Sequence, residues 1–175
     1  MVAKAPQGLV IVHTGDGKGK TTAALGMAMR AVGHGLRVAF VQFIKSAGVG
    51  EHKAAERLAP NLRIFRMGAG FVQGEPAAED CRAAQEALEW VRRELRGGDW
   101  AMVVADEILT AVGLKLVTAA EVEALLADRP ARTHLVLTGR GAWPRLIERA
   151  DLVTEMRLLK HPYDRGVEPQ EGIEF

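Results

Sequence analysis

Residues 14–22 read TGDGKGKTT and stand between an apolar run, GLVIVH (Gly8–His13), and a stretch of helical period that opens at Thr21. Glycine at every second position, 15, 17 and 19, frees the backbone to curl until successive N–H groups converge, and a helix starting directly afterwards adds the positive end of its dipole. Such a segment needs a strand to deliver it and a helix to receive it, so this end of the chain is committed to a strand–loop–helix unit. The row of N–H groups suits a phosphate. Gly19-Lys20-Thr21 matches the end of the pattern G-x-x-x-x-G-K-[ST], in which the lysine neutralises phosphate charge and the hydroxyl ligates Mg²⁺. The start of the pattern is displaced: Thr14 takes the first glycine's place and Gly15 follows one residue later. A glycine-rich turn without this role would need neither the Lys20-Thr21 pair nor the apolar strand before it.

The rest of the chain keeps the alternation. Leu36–Phe43, Leu62–Arg66, Trp100–Asp106, His134–Thr138 and Leu152–Arg157 have strand character, several as near-continuous apolar runs that suit strands covered on both faces. Thr21–Val32, Pro76–Leu95, Thr118–Asp128 and Trp143–Ala150 have helical character; Thr118 and Glu121 are spaced as a capping box, and Gly97-Gly98 stands as a stop after Leu95. The expected class is α/β: a doubly wound, mainly parallel sheet of about six strands with P-loop NTPase (RecA-like) architecture. Residues 1–175 hold no repeat or linker and are expected to form a single domain.

Charge narrows the partners. Lys plus Arg (23) nearly balances Asp plus Glu (22), so there is no electrostatic case for sequence-independent nucleic-acid binding, and an anion must be held locally. No apolar run is long enough for a signal peptide or a membrane span, so a cytoplasmic protein with neither membrane nor nucleic-acid partners is expected. The one cysteine, Cys81, has no His or Cys at metal or redox spacing and reads as a structural or surface thiol.

A second part of the site is expected where the run MVVA ends in Asp106-Glu107, since an acidic residue there points at the Mg²⁺ held by the loop. Thr21, Asp106 and Glu107 are thus the expected metal set, and Lys20, Thr21 and Glu107 the expected catalytic set. His13, beside the loop, is expected to be packed or hydrogen-bonded rather than catalytic. Lys45–Gly50 (KSAGVG) and Met67–Glu75 (MGAGFVQGE) have neither period and follow strands, where open α/β sheets bind ligands.

TGDGKGKTTAALG (14–26), VQFIK (41–45), MGAGF (67–71), VVADEI (103–108), LTGR (137–140) and the tail ADLVTEM…KHPYDRGVEPQEGIEF (150–175) together resemble the P-loop type of ATP:corrinoid adenosyltransferase, also called the cob(I)yrinic acid a,c-diamide adenosyltransferase family. The resemblance spans almost the whole chain and accounts for the displaced glycine. It implies that ATP is held by Gly15, Asp16, Gly17, Lys18, Gly19, Lys20, Thr21 and Thr22 in reversed orientation, presenting the ribose C5′ to a corrinoid acceptor, with triphosphate as leaving group and Mg²⁺ as cofactor. It also implies an aromatic wall under the corrin, to which Phe71 corresponds; the second aromatic of many relatives is Gln73 here. Arg140, Lys45, His161, Tyr163 and Asp164 lie in matching motifs, and Arg140 is expected near the phosphates or the corrin side chains, or else in a structural salt bridge. A homodimer and an electron donor such as a reduced flavoprotein are implied in the same way. Two other readings stay open: a conventional P-loop ATPase or kinase acting at the γ-phosphate, and a non-catalytic corrinoid-binding module.

Overall fold

The computed structural model describes residues 7–44, 49–68 and 74–174. Six strands, β1 (Val10–Thr14), β2 (Val38–Gln42), β3 (Leu62–Arg66), β4 (Met102–Asp106), β5 (His134–Thr138) and β6 (Leu152–Glu155), form one sheet in the order β3-β2-β4-β5-β1-β6. All five neighbouring pairs are parallel. The residues of β1, β2 and β4 are buried throughout, as apolar runs covered on both faces require. The edge strand β6 is exposed along its length.

Helices α1 (Lys20–Gly33) and α2 (Gly50–Arg57) cover one face. Ala24, Ala28 and Ala31 recur at helical spacing and, being small, let α1 lie close on Ile11, Phe40, Val104 and Val136. Helices α3 (Ala78–Gly97), α4 (Ile108–Gly113), α5 (Ala119–Asp128) and α6 (Pro144–Arg149) cover the other. There Ala84, Leu88, Val91 and Leu95 form the buried stripe of α3, and truncating Leu88 to alanine should cost about 2–5 kcal/mol.

The capping box at Thr118 is formed: its hydroxyl accepts from Glu121 N, and the Glu121 carboxylate accepts from Thr118 N. The Thr118 hydroxyl, which also donates to that carboxylate, and then the Thr118 N–H hold the Glu121 carboxyl below its ordinary range. Helix α3 starts two residues later than its apolar period suggests, because the Asp80 carboxylate caps the Ala77 N–H, and it runs through Gly97. Two helices were not expected. The short, polar α2 (GEHKAAER) buries only Ala55, so it carries almost no period. The six residues of α4 (ILTAVG) form a short apolar run just after Asp106-Glu107, too short for periodicity to tell helix from strand.

Candidate active site

Parallel strands direct their carboxyl ends to one edge, and β1, β4 and β5 bring the chemically distinctive residues together there. The loop after β1 is pressed against the segment that follows β6. Gly17 N donates to Met156 O at 2.7 Å, and a Cβ on Gly15 would stand 2.4 Å from the same carbonyl. Gly15 also has φ 98°, so space and conformation both demand glycine. Gly19 differs: it has φ 112° at the N-cap of α1, but nothing lies within 4 Å of its would-be Cβ, so the helix terminus faces open space.

The Lys20 side chain is 7% exposed and curls into the loop, donating to Gly15 O at 2.7 Å and Gly17 O at 2.8 Å. Burial lowers its pKa; Glu107 opposes that shift and Arg140 adds to it. Thr21, the next residue, donates its hydroxyl to Asp106 Oδ1 at 2.9 Å. The same oxygen accepts from Thr138 Oγ1 at 2.7 Å, and both Asp106 and Thr138 are fully buried.

Glu107 leaves β4 with φ 63°, a left-handed conformation that costs a non-glycine residue about 1–3 kcal/mol. Its N–H is held by Thr138 Oγ1 at 2.8 Å. The Glu107 carboxylate accepts from Thr110 Oγ1, and that hydroxyl in turn accepts from Arg140 N at 3.1 Å. The Arg140 guanidinium, more than half exposed, stands 4.0 Å from Asp16. Sequence reasoning named Asp106, Glu107 and Arg140 but missed Thr138 and Thr110. The signal for Thr138 was present: HLVLT, like MVVAD, is an apolar strand ending in a hydrogen-bonding residue at the carboxyl edge.

Residues 16–22, Glu107 and Arg140 line a cleft of about 520 Å³ whose far wall is the C-terminal tail: Leu158, His161, Tyr163, Asp164, Ile173 and Glu174. Lys18 Nζ lies 3.4 Å from Glu174 Oε1. The cleft therefore brings together the expected loop residues from Asp16 to Thr22, Glu107, Arg140 and His161, Tyr163 and Asp164 of the KHPYD motif, while Gly15 and the fully buried Asp106 do not line it. Phe71, Gln73 and Lys45 lie outside the described residues. His13, next to last in β1, is 6% exposed; among the described residues neither ring nitrogen has a hydrogen-bond partner, and burial lowers its pKa. It is packed, not hydrogen-bonded, and as a neutral ring.

The family model for ATP:corrinoid adenosyltransferase BtuR/CobO/CobP matches residues 6–175. The chain belongs to this family. A corrinoid adenosyltransferase of Sinorhizobium sp is 43% identical over 173 residues, covering 97% of this chain and 81% of that protein. Those of Pseudomonas aeruginosa and Escherichia coli K12 are 40% and 39% identical, covering 99% of this chain and 86% and 88% of theirs. Among solved structures, the flagellar accessory protein FlaH of Methanocaldococcus jannaschii superposes with a TM-score of 0.60 at 11% identity, covering 88% of this chain and 73% of that one, a likeness of fold alone. Among the described residues no helix is long and apolar enough to cross a membrane.

Proposed function

We propose that residues 1–175 act as one enzyme unit that transfers the 5′-deoxyadenosyl group of ATP to the Co(I) centre of a corrinoid and releases inorganic triphosphate, a step in adenosylcobalamin formation. The observation that carries the reading is a preformed phosphate cradle, with Lys20 buried in it and Thr21 tied to Asp106, in a chain matched over residues 6–175 by a corrinoid adenosyltransferase family model.

In this reading the ribose C5′ faces the cobalt. The cobalt–carbon bond forms with the electron pair of Co(I), the C5′–O bond breaks, and that bond's electrons leave on the triphosphate. Co(I) carries no proton, so no general base is needed, which agrees with a neutral, packed His13. The task left to the protein is to hold the leaving charge, and a preorganised, buried cation and loop N–H groups do this best where water is excluded. Lys20, Lys18 and the loop take that role, with Arg140 at the rim.

Thr21, Asp106 and Glu107 offer a hydroxyl and two carboxylates at one strand end, the hard oxygen set that Mg²⁺ shares with substrate phosphates. When bound, Mg²⁺ would neutralise charge on the leaving triphosphate. Phe71 and Gln73 as corrinoid-binding residues, a reduced flavoprotein as electron donor and a homodimer belong to the reading through the family resemblance.

Product identity tests it. Protein, ATP, Mg²⁺ and chemically reduced corrinoid should yield adenosylcorrinoid and triphosphate. ADP with no adenosylcorrinoid would replace it with γ-phosphoryl chemistry, and an unchanged corrinoid spectrum would reduce the protein to a binding module.

A further inference from the structure

Thr110 stands three residues after Glu107, one turn into α4, so its hydroxyl and the Glu107 carboxylate meet on one side of the helix start. The other partner of that hydroxyl is the backbone N–H of Arg140, which can only donate. Thr110 Oγ1 must accept there, and its single proton is left for Glu107. The bond to Arg140 is enforced by packing. Gly139 has φ 136°, and a Cβ on it would fall 2.6 Å from Thr110 N and 2.9 Å from Leu109 Cβ, so only glycine lets the loop after β5 come this close to α4.

We propose that Thr110 is a positioning residue that sets the direction of the Glu107 carboxylate and makes it depend on the seating of the Arg140 loop. The inference rests on the reading in which Glu107 faces a metal–nucleotide complex. The rest of the coupling is already visible: Thr138 fixes the Glu107 backbone and the Asp106 side chain, but nothing on β5 or β4 restrains the Glu107 carboxylate, which extends from a residue in a left-handed conformation. Thr110 supplies that restraint. It also joins the α4 start and the Arg140 loop, which line the cleft through Glu107 and Arg140.

The experiment measures Mn²⁺ binding to the full-length protein with ATP present and corrinoid and reductant absent, so that no chemistry occurs, using electron paramagnetic resonance of free Mn²⁺. Glu107→Gln and Thr110→Val should each weaken Mn²⁺ binding about tenfold, the usual scale for losing a ligand's hydrogen-bond partner, while Thr110→Ser, which keeps the hydroxyl, stays within about threefold of the parent. Gly139→Ala should behave like Thr110→Val, because it pushes the Arg140 N–H away. Thermal unfolding of each variant confirms that it is folded, and Thr110→Ala replaces Thr110→Val if the latter is not. Parent-like Mn²⁺ binding by Thr110→Val beside a weakened Glu107→Gln overturns the positioning role and leaves the metal reading standing. Parent-like binding by Glu107→Gln overturns both. Equal loss in Thr110→Ser and Thr110→Val also overturns the proposal, since it would trace the effect to shape and not to the hydroxyl.

Discussion

The two walls of the cleft are built on opposite principles. On one side the phosphate loop is locked between strand ends: Gly15 and Gly17 lie against the Met156 carbonyl, Lys20 is buried with two backbone acceptors, and Asp106 and Thr138 beneath it are closed to solvent. On the other side the tail presents Tyr163 at 67% exposure and Ile173 at 71%, and meets the loop through the Lys18–Glu174 pair. Charge held rigidly in a dry site acts strongly on a reaction, whereas an exposed, screened contact acts weakly. The locked wall is therefore expected to govern turnover, and the tail to govern only how the nucleotide is admitted.

The largest expected effect comes from the locked wall. Lys20→Ala should lower turnover of ATP with reduced corrinoid by at least about 10²-fold, as removal of one preorganised charge-stabilising donor does. Turnover within a few-fold of the parent would break the contrast at its strongest point.

Two glycine variants sharpen it next. Gly15→Ala drives a Cβ into the Met156 carbonyl and imposes an unfavourable φ, whereas Gly19→Ala meets only the second problem. In urea unfolding Gly19→Ala should cost about 1–2 kcal/mol and Gly15→Ala clearly more. Equal costs would mean that the tail-side segment yields to the loop and that the wall is not locked.

The same contrast explains which parts of the molecule are legible in its sequence. Thr14–Thr22 was legible because a phosphate cradle needs glycine and Lys-Thr at fixed spacing, and Asp106 because an apolar strand ending in acid is a short-range pattern. Four of the helices and all six strands follow from period and run length. The hydrogen bonds of Thr138 and Thr110 join residues about 30 positions apart, and no local pattern encodes a pair at that separation. Gln42 is a further case. It is fully buried at the end of β2, opposite Asp106 in register, and takes its partners Glu51 and His52 from α2, a helix too short and polar to announce itself. The tail was identified by motif resemblance and not by its physics, because its contacts are few and its side chains mostly exposed.

His13 tests whether the bed of the locked wall is truly dry. Burial depresses its pKa, so the unfolded chain binds the proton more readily than the folded one below the ordinary histidine value near 6.5, and stability should fall as pH drops through that region. One such group contributes at most about 1.4 kcal/mol per pH unit, and His134, also depressed by burial, adds to the slope. His13→Phe keeps an aromatic ring and removes two nitrogens that have no partner. Urea titrations should show it more stable than the parent at pH 8, by the cost of burying unpaired nitrogens, and gaining further as pH falls to 5.5. A parent-like slope in His13→Phe would show that the ring is hydrated and the bed wet.

The smallest effect is expected at the tail. The Glu174 carboxyl is held below its ordinary range first by the Gln170 N–H and then by Lys18, so it is ionised at neutral pH and neutralises a lysine that faces the cleft. Glu174→Gln leaves Lys18 to the phosphates alone. The Michaelis constant for ATP should then fall, by less than about threefold because Lys18 is half-exposed and screened, and the difference should shrink as salt is raised. Turnover at saturating ATP should change by no more than the same small factor, since the substitution leaves Lys20, Thr21 and Asp106 as they are and Lys18 is screened. A tenfold loss of turnover in Glu174→Gln would place the tail among the groups that act on the reaction, and the division between a locked wall for chemistry and an exposed wall for admission would no longer hold.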